Sequence, residues 1–381
     1  MVMMYEPIII KSVVIVEGGI IGSSIARSLV RRGMPNVTVL DPTPTGLTSP
    51  ASWAWLNANQ KAPPAYKWLN QLGMRGWRVD SLLKDLPSWN GSLVCFREIQ
   101  DVMSGGYSSE GPLSDERIKE LEPEANFTAA GHVYYFSDEG CVDPCQAVLA
   151  LRGDDVTIIS DERVVGLVRD ETGRVVGVET RASEDDDDDA PSNKILADVV
   201  IVAAGTGCAD KALGGLPLVS SPGRISFARP TTPSPRVLTR LLVDMVRESH
   251  VLQRKDGTLV AGGGALEVGG SSASDRANLE ANEGQLLLEM AKTLAPQPLG
   301  DATFTHSEEA ARPMPRDGLP IVGYLERGLY TVVTHSGVTL SPILGQLVAA
   351  DLKEQVSLEI LGDYRPARFG KQPSSGGDLS Y

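Results

Sequence analysis

The stretch that decides the fold is Val13–Asp41, which reads VVIVEGGIIGSSIARSLVRRGMPNVTVLD. Val13–Val16 is a continuous β-branched run, typical of a strand buried on both faces of a parallel sheet. A glycine turn at 17–22 then leads into apolar residues at helical spacing, and a second strand, Val37–Leu40, ends on Asp41. Strand, turn, helix, strand and terminal acid predict a βαβ unit that binds a dinucleotide. Its pyrophosphate is expected at the helix N-terminus and its ribose at the acid.

The glycine turn departs from the dinucleotide fingerprint at one position. Glycine is expected at positions 17, 19 and 22, and the chain carries Glu17 in the first place. Glycine there allows the tight turn and leaves room beside the phosphates. A carboxylate roughly 5 Å from a phosphate costs a few kcal/mol at an effective dielectric of about 20. Taken alone, the turn is equally compatible with a βαβ unit that packs without a ligand.

Composition bounds the class of protein. With 381 residues, 42% hydrophobic and 22% charged, the chain is ordinarily globular, and its length favours two connected domains. No apolar run is long enough for a membrane span. The net charge of −14 argues against a nucleic-acid or anionic-membrane partner, so an anionic substrate requires a local cation. The four cysteines have no metal-ligand spacing and indicate thiols in an intracellular compartment, cytoplasmic or within an organelle.

Further motifs follow along the chain. The turn-rich loop after the second strand makes Thr48 and Ser49 candidates to line the cofactor. Trp53 and Trp55 form either a packed aromatic cluster or a wall of the active site. Residues 195–204 form an apolar segment that predicts one strand ending in a small pair.

The last third of the chain predicts a strand followed by a helix. The strand is Leu329–Val333. Ser341 is a typical N-cap residue and Pro342 suits the first helical position, so the helix is expected to begin there.

Five segments in this order resemble the FAD-dependent oxidoreductases of the D-amino-acid oxidase, glycine oxidase and sarcosine oxidase superfamily. They are EGGIIG with Asp41, GCVDP at 140–144, VVIVAAGTG at 199–207, RPMPRDGLPIVG at 312–323 and THSGVTLSP at 334–342. The resemblance implies an α/β fold, with a Rossmann-like FAD-binding domain and a second, mainly antiparallel-sheet substrate domain of α+β type. The FAD-binding domain is expected at 1–54, 141–207 and 306–365, the substrate domain at 55–140 and 208–305, and a flexible tail at 366–381.

The resemblance implies non-covalent FAD, because no cysteine or histidine stands at an obvious attachment position. The residues that match the superfamily's cofactor contacts are Gly18, Gly19, Ile20, Gly22, Asp41, Thr48, Ser49, Val164, Ala204, Gly205, Gly337, Val338, Thr339 and Leu340. The last four precede the predicted helix N-terminus, whose partial positive charge suits an anionic reduced flavin.

The implied reaction is oxidation of a small amine or amino acid of the D-amino acid, glycine or N-alkyl glycine type. A hydride passes from the carbon bearing the amine to the flavin, water hydrolyses the imine, and oxygen accepts the electrons to give hydrogen peroxide. Arg312 matches the arginine that grips the substrate carboxylate, for which guanidinium geometry is suited. His250 lies near where relatives carry an active-site tyrosine, and His335 precedes the flavin motif.

Two alternatives stay open at this point. One is an amine dehydrogenase that passes electrons to a quinone or to a protein partner. The other is a catalytically silent scaffold in which Glu17 weakens FAD binding.

Overall fold

The fold rests on a parallel and an antiparallel sheet, seen in a computed structural model that describes residues 10–43, 45–99, 109–153, 155–183, 191–231, 237–263, 273–354 and 358–370. The strands are β1 (Ser12–Val16), β2 (Asn36–Leu40), β3 (Trp55–Leu56), β4 (Ser92–Phe96), β5 (Ser109–Glu110), β6 (His132–Phe136), β7 (Gly140–Cys141), β8 (Thr157–Ile159), β9 (Glu162–Arg169), β10 (Val175–Ala182), β11 (Asn193–Leu196), β12 (Val199–Val202), β13 (Leu218–Arg229), β14 (Leu241–Asp244), β15 (Ser249–Gln253), β16 (Leu259–Gly263), β17 (Thr303–Pro315), β18 (Ile321–Glu326) and β19 (Leu329–Val333). The helices are α1 (Ile20–Arg31), α2 (Pro64–Val79), α3 (Asp115–Leu121), α4 (Pro144–Arg152), α5 (Ala273–Lys292), α6 (Pro296–Leu299) and α7 (Gly337–Glu354).

The parallel sheet has β1 near its centre. Its strand order is β18-β19-β12-β1-β2-β8, and every pair is parallel except β18 with β19. Val13–Val16 pairs with β12 on one side and β2 on the other, and these apolar strands are buried on both faces. The carboxyl ends of β1, β2 and β12 therefore share one edge, which is where such sheets bind ligands. The predicted βαβ unit is confirmed.

The antiparallel sheet has eight strands in the order β17-β13-β16-β15-β14-β4-β6-β5, and only the contact between β14 and β4 is parallel. The predicted fold class, a Rossmann-like sheet with a second and mainly antiparallel one, is confirmed. The predicted domain limit at 305/306 falls inside β17, all of which pairs with β13 in this sheet. The domain limits themselves remain predictions.

The apolar segment 195–204 is not one strand, as predicted, but the end of β11 followed by β12. The two strands are separated at Ala197 and Asp198. The Asp198 carboxylate accepts hydrogen bonds from the backbone N–H groups of Lys11 at 2.8 Å and Ser12 at 3.0 Å. This pins the start of β12 beside the start of β1. Residues 193–196 instead form the edge of a three-stranded sheet with β10 and β9.

The expectation of a flexible tail is wrong for its first residues. Pro366–Phe369 is a 3-10 helix, and the Arg368 guanidinium binds the Asp317 carboxylate, with 2.6 Å between Nε and Oδ2. Phe369 packs against the core on one face of the parallel sheet. The rest of the predicted tail, residues 371–381, lies outside the described residues.

Candidate active site

The turn between β1 and α1 keeps its sharp shape despite Glu17. Glu17 adopts a left-handed conformation, with φ of 72°, which is the region that glycine favours. Gly22 is needed for the close approach of strand and helix, because a Cβ there would lie 2.1 Å from the Glu17 carbonyl oxygen. The turn therefore tolerates the first departure from the fingerprint but leaves no space for a second.

The N-terminus of α1 is suited to an anion. Its N-cap residue, Gly19, has no side chain to cap it, and its first turn contains no acidic residue. The backbone N–H of Ile20 donates to Ser49 Oγ at 3.2 Å, which brings the predicted Ser49 to the helix end. A Cβ on Gly46 would lie 2.8 Å from the Gly19 Cα, so the same loop packs directly on the glycine turn. The first turn of α1 itself therefore carries no carboxylate that would compete with a bound anion for its N–H groups.

A second helix N-terminus lies beside the first. The sequence predicts a helix from Ser341, whereas α7 begins at Gly337, so Gly337–Leu340 form its first turn rather than a loop before it. A Cβ on Gly337 would lie 3.6 Å from Ile21 Cγ1, and α7 also carries no acid in its first turn. Two helix ends of the same polarity meet here, and this arrangement fits a cofactor with a pyrophosphate and an anionic ring.

The early start of α7 is possible because Trp77 replaces a missing hydrogen bond. Pro342 has no N–H to donate to the carbonyl of Val338, four residues earlier. That carbonyl instead accepts from Trp77 Nε1 at 2.9 Å and from Ser341 Oγ at 3.1 Å. Helix α2 can approach this closely because a Cβ on Gly73 would lie only 2.3 Å from the carbonyl oxygen of Thr339.

The remaining predicted cofactor residues lie on three elements. Ala204 is the N-cap of a 3-10 helix, Gly205–Ala209, that follows β12. Gly205 has φ of 56°, and a Cβ on it would lie 3.9 Å from Thr48 Oγ1. Val164 lies on β9, outside the parallel sheet, and packs against the core that contains Leu40 at the end of β2. Contacts of these residues with FAD remain predictions.

The acid at the end of β2 is already engaged by a cation that the sequence does not predict. The Asp41 side chain is fully buried, and Arg152 Nη2 pairs with its carboxylate and donates to the Gly18 carbonyl at 2.8 Å. Thr43 Oγ1 donates to the other carboxylate oxygen at 2.8 Å. Burial, and next the nearby Asp41, raise the pKa of Glu17 to about 7. A basic residue ending the apolar helix α4 is the one sequence signal that points to Arg152.

The predicted substrate residues come from three elements and share one neighbourhood. The Arg312 guanidinium lies over Gly223 of the neighbouring strand, 2.5 Å from the place of a Cβ there. Burial, and then the charge of Arg312, lower the pKa of His250 to about 3. Burial, followed by Lys61 and Arg312, lowers the pKa of His335 to about 4. Arg312 and His335 are exposed to solvent, whereas His250 is half-buried.

Lys61 is a further member of this neighbourhood that sequence reasoning misses. Its side chain is half-buried, and burial lowers its pKa, partly offset by Glu139. Glu139 is fully buried and accepts hydrogen bonds from Trp55 Nε1 at 2.9 Å and from Ser92 Oγ. Lys61 belongs to no motif and stands just before Pro63 and Pro64, where α2 begins, so its position depends on tertiary packing alone.

Trp53 packs against His250 and Trp55 in an aromatic cluster, and its role as a wall of the active site remains a prediction. Its ring centroid lies 4.1 Å from that of His250 and 5.3 Å from that of Trp55. The indole Nε1 is buried and has no acceptor among the described residues. A buried donor without a partner is costly, so this indole is held in place by the packing of its ring.

The residues present thus fit FAD at its pyrophosphate and flavin ends, while Arg152 adds a charge at the adenosine end.

Within the described ranges, no helix has the length and apolar character needed to cross a bilayer.

Comparison with known proteins gives the family. The model of the DAO family, described as FAD dependent oxidoreductase, matches residues 12–351. The chain is 28% identical to the bifunctional protein ThiO/ThiG of Trichormus variabilis, over 96% of this chain and 56% of that protein. It therefore spans about half the length of the curated relatives it matches.

The similar solved structures support the fold. They include iminodiacetate oxidase from Chelativorans sp. BNC1 (22% identity, TM-score 0.70, 93% of this chain and 98% of that chain). Glycine oxidase from Bacillus cereus is similar too (20% identity, TM-score 0.72, again 93% and 98%). Since the family match covers most of the chain, the chain belongs to the DAO family of FAD-dependent oxidoreductases, with FAD as its cofactor.

Proposed function

We propose that the chain oxidises a small amino acid or N-substituted amino acid at the carbon–nitrogen bond. Non-covalently bound FAD supplies the two-electron oxidation. The observation that carries the proposal is Arg312, an exposed guanidinium beside two histidines whose pKa values are lowered to about 3 and about 4. Similarity to ThiO/ThiG, to a glycine oxidase and to an iminodiacetate oxidase supports an amino-acid type of substrate.

Arg312 binds the substrate carboxylate in this proposal. Among the described residues, no carboxylate lies within salt-bridge distance of its guanidinium, which leaves its donors for an anion. A planar guanidinium binds a carboxylate through two parallel hydrogen bonds and thereby fixes the orientation of the substrate. With one end held in this way, the carbon that bears the amine is positioned for reaction.

The groups next to Arg312 set the polarity of its surroundings. His250 has a pKa of about 3, so its imidazole is neutral at pH 7 and can accept a hydrogen bond from the substrate amine. The Trp53 ring packs against this imidazole, with 4.1 Å between the two ring centroids. Lys61 adds a cationic group on the side of His335. Together with Arg312 it provides the local positive charge that a chain of net charge −14 needs to attract an anion.

The acceptor, the compartment and the domain limits belong to the same proposal. We propose oxygen as electron acceptor, with hydrogen peroxide as product, and an intracellular location. All four cysteines lie in the described ranges and carry thiols, as in a reducing compartment. The FAD-binding domain is proposed at 1–54, 141–207 and 306–365, with the substrate domain between these segments.

The test separates oxidation of the substrate from reaction with oxygen. FAD-loaded protein is mixed without oxygen with glycine, sarcosine, iminodiacetate and a panel of D-amino acids, and flavin absorbance is followed. Bleaching by at least one of these compounds is expected, and readmitted oxygen should restore the absorbance and yield peroxide. Bleaching without peroxide would favour the dehydrogenase alternative. A loaded protein that no amine reduces would contradict the proposal.

A further inference from the structure

The adenosine end of the site contains a cation where the dinucleotide fingerprint has none. Arg152 is the last residue of α4, and its side chain is 11% exposed. It reaches across to the glycine turn, where Nη2 binds the Asp41 carboxylate and the Gly18 carbonyl. Its Nε lies 3.4 Å from Ser23 Oγ in the first turn of α1. A Cβ on Gly18 would lie 2.7 Å from Nη2, so the guanidinium rests directly on the turn.

The Arg152 guanidinium lies near an additional carboxylate, that of Glu17. Glu17 stands at the first glycine position, and both Asp41 and Arg152 act on its titration. With Glu17 and Asp41 ionised, the turn would present two negative charges to the phosphates of FAD. Arg152 cancels one of them from within the protein. The two departures from the fingerprint, Glu17 and Arg152, thus lie at one place and have opposite charge.

We propose that Arg152 is a cofactor-positioning residue whose guanidinium offsets Glu17, so that the altered glycine turn still accepts the FAD pyrophosphate. The proposal depends on the family's cofactor and not on the identity of the substrate. Its failure can therefore be told apart from failure of the proposed amino-acid oxidation, which is measured separately by flavin reduction.

Among the residues that the structure describes, few titratable groups interact with Glu17, which makes the proposal testable by substitution. They are Asp41 from the end of β2, Arg152 from α4 and Cys208 from the 3-10 helix after β12. Burial raises the pKa of the Cys208 thiol to about 12, so this group is uncharged at neutral pH. Removing Arg152 leaves Asp41 and Glu17 without a neighbouring cation from these elements.

The experiment is a double-mutant cycle on FAD affinity in the apoprotein. Wild type, Arg152→Met, Glu17→Gly and the double variant are titrated with FAD, and quenching of flavin fluorescence gives Kd. Arg152→Met is expected to raise Kd roughly 30- to 100-fold when Glu17 is present, and less than about fivefold when glycine replaces it. Arg27→Met is the matched control. Arg27 also lies on α1, but its Nη1 pairs with Oδ2 of the exposed Asp155 at 3.4 Å and not with a group of the glycine turn.

Circular dichroism and thermal unfolding of each apoprotein establish that the variants fold. Should Arg152→Met not fold, the cycle is repeated with Arg152→Gln, which keeps hydrogen-bond donors without the charge, and the same coupling is expected. An equal loss of affinity with and without Glu17 would overturn the proposal. Tighter FAD binding by Arg152→Met would overturn it as well, because Arg152 would then obstruct the cofactor.

Discussion

The two ends of the site differ in whether their charged side chains are paired. At the cofactor end, Arg152 and Asp41 form a buried pair, and the pKa of Glu17 is raised toward neutrality. At the substrate end, Arg312 and His335 are open to solvent, and the described part of the chain places no carboxylate within salt-bridge distance of Arg312. One end is balanced within the protein and the other retains positive charge.

The difference follows from what each end has to bind. FAD brings its own phosphates, and the helix N-termini of α1 and α7 are suited to bind them through backbone N–H groups. An additional acid there must be neutralised internally. A small substrate carboxylate has to be captured from solution by a protein whose net charge is −14, so its cation must stay available. In the proposed function, backbone dipoles hold the cofactor and side-chain charge selects the substrate.

The largest effect is expected from removing the cation of the substrate end. Arg312→Leu should raise the substrate KM by roughly 100- to 1,000-fold, because two charge-assisted hydrogen bonds worth about 3–4 kcal/mol are lost. FAD should remain bound, as judged from the absorption spectrum. Arg316→Leu, an exposed arginine in the same segment, is the control and should leave KM unchanged. Unaltered kinetics in Arg312→Leu would eliminate the carboxylate role.

The second effect concerns the backbone of the cofactor end. Gly22→Ala should lower the free energy of unfolding by about 1–3 kcal/mol, because the new Cβ would overlap the Glu17 carbonyl. Gly362→Ala is the matched control, since a Cβ there meets nothing within 4 Å, and should change stability by less than about 0.5 kcal/mol. Urea unfolding measures both. Equal stability of the two variants would show that the turn is not tightly packed.

A smaller effect tests how the first turn of α7 is held. Trp77→Phe should cost about 1–2 kcal/mol of stability, because the Val338 carbonyl loses a donor. Combined with Pro342→Ala, which restores a backbone N–H to that carbonyl, the same substitution should cost less than about 1 kcal/mol. Equal costs in both backgrounds would show that Trp77 does not replace the missing hydrogen bond.

The smallest effect is the pH dependence of cofactor binding. Glu17 has a pKa of about 7, raised by burial and then by Asp41, so its carboxyl loses its proton as pH rises through 7. The charge then faces the FAD phosphates, and Kd should rise by less than about tenfold between pH 6 and pH 8. Glu17→Gln should give a flat profile. A wild-type profile equally flat would exclude titration of Glu17 in this range.

The same shift has a consequence for stability with a definite sign. The folded-state pKa of Glu17 lies above its ordinary value of 4.5, so the folded state holds this proton more tightly than the unfolded one. Its contribution is therefore present at low pH and is lost as pH rises through 7. Urea unfolding of the apoprotein and of Glu17→Gln at pH 5.5 and 8 would detect the difference.

Local patterns predict the parts of the molecule that repeat a known periodicity. β1, α1 and β2 follow from a β-branched run, helical spacing and a terminal acid, and the observed bounds agree within a residue or two. The predicted start of α7 at Ser341 is wrong, because a proline is normally found in the first turn of a helix and Pro342 lies inside this one. The compensation comes from Trp77, more than two hundred and fifty residues away in sequence.

The features of the site that the sequence does not predict are contacts between charged residues of distant elements. Arg152 and Asp41 are 111 residues apart, and nothing near either residue predicts the other. Lys61 joins Arg312 and His335 only through tertiary packing. The motifs therefore predict the family and the cofactor backbone contacts, whereas the groups that tune charge appear only in the folded chain.

The most direct test of the account is the flavin content of the purified protein. An absorption spectrum is recorded, and the flavin is released by denaturation and identified. The account predicts near-stoichiometric FAD, freed without covalent attachment, with Arg152 offsetting Glu17. A colourless protein that takes up no added FAD would contradict it and would favour a scaffold in which the altered glycine turn has lost its ligand.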